Sequence, residues 1–265
     1  MKLYKKILES NKFFLIAGPC VVEDEKLMMQ IASDLIEMTS ERGIQFIFKS
    51  SYKKANRTSI ESPIGPGIKK GLEILLKIKN EFNIPIITDV HEVAEVHEVA
   101  EVADILQIPA FLSRQSDLIF AAAKTGRIVN IKKGQFMAPE DMKKAAEKVL
   151  TAGNDNILLT ERGTSFGYHD LVVDFRSFAI MKDLGFPVIY DVTHSLQKPS
   201  VQNTSGGSPQ YANMMANAAL ATGKVDGLFI ETHPNPAKAL SDASSMLALN
   251  KLPELLDACI KIKGK

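Results

Sequence analysis

The chain has little cysteine, no long apolar run and almost no net charge, and each shortage removes a class of protein. Two cysteines in 265 residues, Cys20 and Cys259, cannot build a disulfide framework and fit a reducing compartment. No apolar run approaches the roughly 20 residues needed to span a bilayer. The opening Met1-Lys-Leu-Tyr-Lys-Lys breaks into charge where a secretory signal would carry an apolar core, so a cytoplasmic protein is expected. A formal net charge of +1 carries no global signal for nucleic acid or a membrane surface, and any anion binding must come from local clusters. No low-complexity linker marks a domain boundary. What is present, 45% hydrophobic and 24% charged, is ordinary for a globular protein. The length suits two modest domains or one α/β barrel.

Short β-rich apolar runs alternate with amphipathic stretches of helical length. Strands are expected at 13–17, 46–50, 85–90, 105–110, 127–133, 157–162, 188–194 and 227–233. Helices are expected at 25–42, 68–81, 93–103, 118–125, 140–152, 175–184, 212–222 and 252–261. Such alternation implies parallel pairing through right-handed crossovers. Eight units predict a closed α/β barrel of the TIM (β/α)8 type, one domain over 1–265, with a doubly wound open sheet as the weaker choice. Residues 1–12 are left over as an N-terminal extension against the barrel bottom.

Two motifs are decoys. The tandem His91-Glu-Val-Ala-Glu-Val96 and His97-Glu-Val-Ala-Glu-Val102 is helix surface chemistry, with Val93, Val96, Ala100 and Ala103 expected on one apolar face. The residue four beyond His91 is Glu95, so a His-Glu-x-x-His zinc motif is not met. Gly65-Pro-Gly67-Ile-Lys-Lys-Gly71 misses a dinucleotide fingerprint by one residue and follows no strand. It reads as a turn that opens a helix.

In a barrel the chemistry sits at the C-terminal strand ends. Those ends carry, in order, Cys20; Lys49 with Lys53, Lys54, Asn56 and Arg57; Asp89 and His91; Gln107 and then Arg114; Asn130, Lys132 and Lys133; Glu161 and Arg162; Asp191 and His194; Glu231 and His233, with Asp242 beyond. Two chemistries separate. Lys49, Lys54, Arg57, Arg114, Lys132 and Arg162 form a ring of cations; each alone could be solvated, but six at one mouth favour a ligand with more than one phosphate or carboxylate. Cys20, His194, Glu231 and Asp242 form a mixed thiolate, imidazole and carboxylate set from strands adjacent once the barrel closes. It suits a divalent transition metal such as Zn, Fe, Mn or Co without choosing among them. Cys20 alone could equally be buried filler or a nucleophile. His233 shares a face with Glu231, but Pro234 follows at once and allows a turn role.

The chain resembles a known family through Ile16-Ala-Gly-Pro-Cys20, the run Lys54-Ala-Asn-Arg-Thr-Ser59, Thr88-Asp-Val-His-Glu92, Gln107-Ile-Pro-Ala-Phe-Leu112, Asn130-Ile-Lys-Lys-Gly-Gln-Phe136, Thr160-Glu-Arg-Gly163, Asp191-Val-Thr-His-Ser195 and Glu231-Thr-His-Pro234. From about residue 13 to 260 it is similar to the 3-deoxy-D-manno-octulosonate-8-phosphate synthases of the metal-dependent class. The run at 54–59 discriminates most, since the sister synthase that uses erythrose 4-phosphate carries a Lys-Pro-Arg-type run there. The resemblance implies a transferase that condenses phosphoenolpyruvate with arabinose 5-phosphate and water and releases phosphate. It implies that Lys132, Arg162, Lys49, Lys54, Arg114 and the segment Ala110-Phe111, with Gln107 nearby, serve phosphoenolpyruvate. Asn56, Arg57 and Thr58 would take the pentose phosphate, and Asp89 would sit near the aldehyde. The ligand set matches the metal-dependent pattern, whereas the metal-independent class has Asn in place of Cys20. A homotetramer and a place in lipopolysaccharide biosynthesis are further implications.

No Schiff-base lysine is required, which separates this reading from a class I aldolase. Ser113 stands where relatives often carry a second cysteine. The Ser/Gly/Pro/Asn-rich segment Lys198–Gln210 reads as a lid, without the Arg that some relatives place after Gly206-Gly207. The alternatives are the sister synthase with another aldose phosphate, and a catalytically silent barrel that senses phosphorylated ligands.

Overall fold

The computed structural model describes residues 2–57, 60–199 and 206–263. Eight parallel strands form a closed barrel: β1 (Phe14–Gly18), β2 (Gln45–Lys49), β3 (Ile86–Asp89), β4 (Ile105–Ile108), β5 (Ile128–Lys132), β6 (Ile157–Glu161), β7 (Val188–Asp191) and β8 (Gly227–His233). Each pairs with the next, and β8 returns to β1 with Phe14 beside Gly227 and Gly18 beside Glu231. Helices α2 (Glu25–Ser40), α3 (Ile68–Phe82), α4 (Val96–Val102), α5 (Ser116–Lys124), α6 (Met142–Thr151), α7 (Arg176–Lys182), α9 (Ala212–Ala221) and α10 (Leu252–Lys263) alternate with them, so the (β/α)8 expectation holds. Helix α1 (Lys2–Glu9) lies at the barrel bottom: Ile7 joins the inner core, and the Tyr4 hydroxyl donates to the Ile157 carbonyl at 3.1 Å.

Strand alternation sorts the core into two compartments. Phe13, Leu15, Ala17, Phe46, Phe48, Leu106, Val129, Leu159, Tyr190 and Ile230 face outward and pack beneath the helices. Phe14, Ile16, Ile47, Ile87, Ile105, Ile128, Leu158, Ile189 and Phe229 face inward and fill the lower barrel. Two residues further along the same inward rows stand Lys49, Asp89, Gln107, Asn130, Thr160, Asp191 and Glu231, all buried. The change from aliphatic to polar marks the floor of the site.

Two expectations need correction. Strand β7 stops at Asp191 instead of reaching His194, because the Asp191 carboxylate accepts the backbone N–H of His194 and caps a short helical turn, α8 (Val192–Ser195). Val93 is not on the apolar face. It sits in a 3-10 turn before α4 and is 51% exposed, while Val96, Val99, Ala100 and Ala103 are buried. Gly67, with φ +82°, begins α3, so the glycine-rich run does open a helix.

Candidate active site

Gly18 lets the site form. Its φ of +155° suits glycine, and a Cβ there would lie 2.1 Å from the Lys49 carbonyl oxygen. This approach brings the ends of β1 and β2 together. Beyond it, Ser51 N–H donates to the Cys20 carbonyl at 3.1 Å and Val22 N–H to the Ser51 carbonyl at 2.9 Å. Cys20 and Lys49 are thereby fixed relative to one another, with the Lys49 ammonium donating to the Cys20 carbonyl at 3.1 Å.

A cavity at the C-terminal mouth is lined by Lys49, Ser51, Lys54, Asn56, Asp89, His91, Gln107, Ala110, Phe111, Lys132, Arg162 and His194, with Pro109. Most of the expected polar set therefore meets in one place. Arg57 and Arg114 do not line it. Arg57 turns back into its own loop and donates to the carbonyls of Ile60 and Ser62, and Arg114 is exposed just before α5. Four of the six expected cations thus line the cavity, and Thr58 lies outside the described residues.

Those four are not equivalent. Lys49 lies 2.7 Å from Glu231, Lys54 2.9 Å from Asp242 and Lys132 2.5 Å from Asp191. Burial works against the Lys49 ammonium, yet Glu231 and Asp89 hold its pKa above the ordinary lysine value. Lys54 is raised likewise, Asp242 overcoming its burial. Arg162 has no carboxylate within ion-pair distance among the described residues. It donates from Nη2 to Gln197 Oε1 at 3.1 Å, and its buried Nη1 has no partner. Burial lowers its pKa, as it would for a cation awaiting an anion. The Phe229 ring forms the floor beneath Lys132, 4.2 Å from its ammonium.

The second chemistry lies alongside. Donor atoms of Cys20, Glu231 and Asp242 all fall within 4.8 Å of one another, with Cys20 Sγ 2.8 Å from Asp242 Oδ2. His194 Nε2 is 3.7 Å from Glu231 Oε2 and 4.0 Å from Asp242 Oδ2, so it borders this three-residue cluster without being one of the groups within that mutual distance. Glu231 Oε2 is buried without a hydrogen-bond partner. Burial, then Asp242 and Glu231, drive the Cys20 thiol pKa well up. An orphaned carboxylate oxygen and a crowd of anionic donors are what a cation would resolve, so the residues fit a divalent metal. Asp242 is delivered with φ +52°, an uncommon conformation for a non-glycine residue.

Asp191 was legible as a strand-end acid but without a role. Its Oδ1 accepts His194 N–H at 2.9 Å and contacts His194 Nδ1 at 3.0 Å, while Oδ2 lies 2.5 Å from Lys132 Nζ. It thus aims His194 Nε2 at the acidic cluster, the arrangement that orients a metal-bound imidazole. Burial would raise the Asp191 pKa, but His194 and Lys132 hold it far below the usual range. Ser51 went unnoticed: it is two residues past Lys49 and donates to Asp89, and inward alternation was the signal. His91 is positioned by Tyr52, whose hydroxyl donates to Glu95 at 2.6 Å and lies 3.3 Å from His91 Nδ1. Ser113 is buried and donates to the Ala110 carbonyl at 2.8 Å, supporting the turn that carries Phe111. His233 is not in the cluster: its Nδ1 accepts Asn235 N–H, the turn role allowed by Pro234. In the expected lid, Gln197–Lys198 pairs antiparallel with Gly206–Gly207. The segment between, 200–205, lies outside the described residues.

A closed barrel with anion-binding and metal-type groups converging at its mouth defines a synthase or aldolase-type barrel enzyme. The chain belongs to the DAHP synthetase I family, whose model matches residues 5–264. Relatives named 2-dehydro-3-deoxyphosphooctonate aldolase match nearly end to end. One from Polaromonas sp. (strain JS666) is 54% identical over 260 residues, 96% of this chain and 91% of the relative. One from Fusobacterium nucleatum is 53% identical over 253 residues, covering 95% and 91%. One from Pelobacter propionicus is 51% identical over 252 residues, covering 95% and 92%.

Proposed function

We propose that this chain, as a single barrel domain, condenses phosphoenolpyruvate with D-arabinose 5-phosphate and water, yielding 3-deoxy-D-manno-octulosonate 8-phosphate and inorganic phosphate. The observation that carries the reading is the cavity where Lys49, Lys54, Lys132 and the carboxylate-free Arg162 converge beside Cys20, His194, Glu231 and Asp242. The relatives' shared name supplies the particular reaction.

In this reading C3 of the enol phosphate attacks the aldehyde carbon while water adds to C2. The phosphate then leaves from the resulting tetrahedral centre. Negative charge gathers on the phosphate, the carboxylate and the aldehyde oxygen, and preorganised cations in a dry site are the largest expected contribution. Lys132 and Arg162 hold phosphoenolpyruvate, with Lys49, Lys54, Gln107 and the Ala110-Phe111 turn around it. Asn56 faces the pentose phosphate, with Arg57 and Thr58 contributing from the same loop once substrate is bound. Arg114 is assigned to phosphoenolpyruvate on the resemblance alone. Asp89 stands by the aldehyde as a fixed anion. Cys20, His194, Glu231 and Asp242 would hold a divalent ion such as Zn, Fe, Mn or Co, which supplies Lewis acidity toward a bound oxygen. His194 keeps its ring oriented through Asp191.

A homo-oligomer, taken as a tetramer, is carried by the family resemblance. Among the described residues no helix is long and apolar enough to cross a membrane. A cytoplasmic role in lipopolysaccharide biosynthesis is likewise carried by the family resemblance. Phosphate release in the metal-replete protein, measured with arabinose 5-phosphate against erythrose 4-phosphate, tests the reading. Turnover with the five-carbon sugar phosphate is expected. Activity only with erythrose 4-phosphate would make the chain the sister synthase, and no turnover with either would leave a binding barrel.

A further inference from the structure

Asp89 presents a carboxylate to the cavity, and a row of buried side chains runs away from it around the barrel. Gln107 Nε2 donates to Asp89 Oδ1 at 2.6 Å, Asn130 Nδ2 to Gln107 Oε1 at 2.9 Å, and Thr160 Oγ1 to Asn130 Oδ1 at 2.7 Å. Asp89 Oδ2 receives the Ser51 hydroxyl and lies 3.8 Å from Lys49 Nζ. The row crosses β3, β4, β5 and β6, with Asp89 beside Gln107 and Gln107 beside Asn130 in the sheet register. Asn130 and Thr160 are fully buried and do not line the cavity.

The polarity of this row is dictated by chemistry. An ionised carboxylate only accepts, so Gln107 must turn its NH2 toward Asp89 and its carbonyl toward Asn130. Asn130 must then present NH2 to Gln107 and its carbonyl to Thr160, whose hydroxyl is left to donate. Each link fixes the next, and aligned links polarise one another. Two residues earlier on the same strands the inward positions are Ile87, Ile105, Ile128 and Leu158. An aliphatic layer therefore fits this barrel, and burying two amides and a hydroxyl is costly unless each is satisfied.

We propose that Thr160 and Asn130 are positioning residues that act on the reaction through Gln107 and Asp89. The carboxylate sets which end of the Gln107 amide it meets; Asn130 and Thr160 satisfy the far ends of the amides in that orientation, and so hold Gln107 and Asp89 in one position against the cavity. Without the Thr160 hydroxyl the Asn130 Oδ1 is left unpaired and its amide is free to shift. Gln107 then loses its fixed partner, and the carboxylate it holds moves with it. The proposal rests on Asp89 facing the reacting aldehyde, as in the function proposed above.

The test compares Thr160→Val with Thr160→Ser in the metal-replete protein. Valine keeps the shape and loses the donor; serine keeps the donor and loses a methyl group. For Thr160→Val, kcat should fall on the order of 10- to 100-fold, because a displaced Asp89 no longer meets the aldehyde in the productive geometry. KM for both substrates should stay within about threefold, because the groups that bind the phosphates are untouched. Thr160→Ser should keep kcat within about twofold of the unaltered protein although it opens a small void. A merely structural role predicts that the variants lose stability while neither is altered in kcat. Unchanged kcat in Thr160→Val, or an equal fall in Thr160→Ser, overturns the proposal. The ratios are taken with whichever aldose phosphate the unaltered protein turns over, so a wrong sugar assignment leaves them meaningful. No turnover at all would overturn the functional reading and the relay with it.

Discussion

Replacing Asp191 by Asn separates the two halves of the site in one step. The carboxylate is fully buried, faces Lys132 at 2.5 Å and takes both the backbone and ring N–H of His194. In Asp191→Asn one oxygen becomes an NH2 group. If the amide keeps the helical cap, that NH2 faces the Lys132 ammonium and crowds His194 Nδ1, which lies 2.8 Å from the present Oδ2. Breaking a buried pair by removing one partner costs about 3–5 kcal/mol. At about 2–4 °C per kcal/mol for a chain of roughly this size, Tm should fall by roughly 6–20 °C. His194 Nδ1 then meets an NH2 donor beside a neutral acceptor in place of a carboxylate, so its proton is held there less firmly and Nε2 is less reserved for a cation. Divalent metal affinity should drop about 10- to 100-fold. Differential scanning calorimetry reads the first effect, and competition with a chromophoric chelator for Zn or Co reads the second, with His194→Ala as the reference for complete loss of that ligand. An Asp191→Asn protein that binds metal as tightly as the unaltered one, while His194→Ala does not, would refute Asp191 as the group that orients His194.

Two further outcomes follow from the geometry. Gly18→Ala must place a methyl group against a backbone oxygen at 2.1 Å and adopt a φ of +155°, so β1 and β2 have to separate. The conformation alone costs about 1–3 kcal/mol, and the urea midpoint should fall together with metal binding at Cys20; an unchanged midpoint would show that the strands yield freely. The folded-state pKa values of Asp89 and Asp191 are depressed below the ordinary 3.8, because Lys49 and, for Asp191, His194 and Lys132 overcome burial. A depressed carboxylate pKa contributes stability that is complete above the unfolded value and lost as pH falls through the folded one. The urea midpoint should therefore hold from pH 7 to about 5 and decline below about 4. Asp191→Asn should reduce that decline, and an equal slope in both proteins would count against the assignment.

The barrel was legible because its signal repeats: eight β-rich runs separated by helical lengths admit few topologies, and strand-end chemistry could be pooled once closure was assumed. Cys20, Glu231 and Asp242 could be grouped for the same reason, and their donor atoms lie within 4.8 Å of one another. Two of the expected cations stand away from the cavity for one reason. Arg57 and Arg114 stand several residues past their strands, where loop geometry rather than strand alternation decides direction, and Arg57 spends its donors on the carbonyls of Ile60 and Ser62. The pairing of each cavity lysine with its own carboxylate was likewise hidden. Lys132 and Asp191 are separated by 59 positions and meet only across the barrel interior. His194 was misplaced in a strand because β-branched Val192 and Thr193 read as extended, whereas the Asp191 cap imposes a helical turn.

Cys20 belongs to both halves of the site through different atoms. Its sulfur faces Asp242, while its carbonyl accepts the Lys49 ammonium and the Ser51 amide. Backbone atoms are supplied by any residue, so the cationic half is indifferent to the side chain at this position. Evolution could therefore exchange the thiol for an amide, as the resemblance assigns to the metal-independent class, and leave the phosphate-binding framework in register. The junction works as a socket. In the function proposed above, the side chain that plugs into it decides whether a metal half is built at all, while the backbone contacts to Lys49 and Ser51 stay the same.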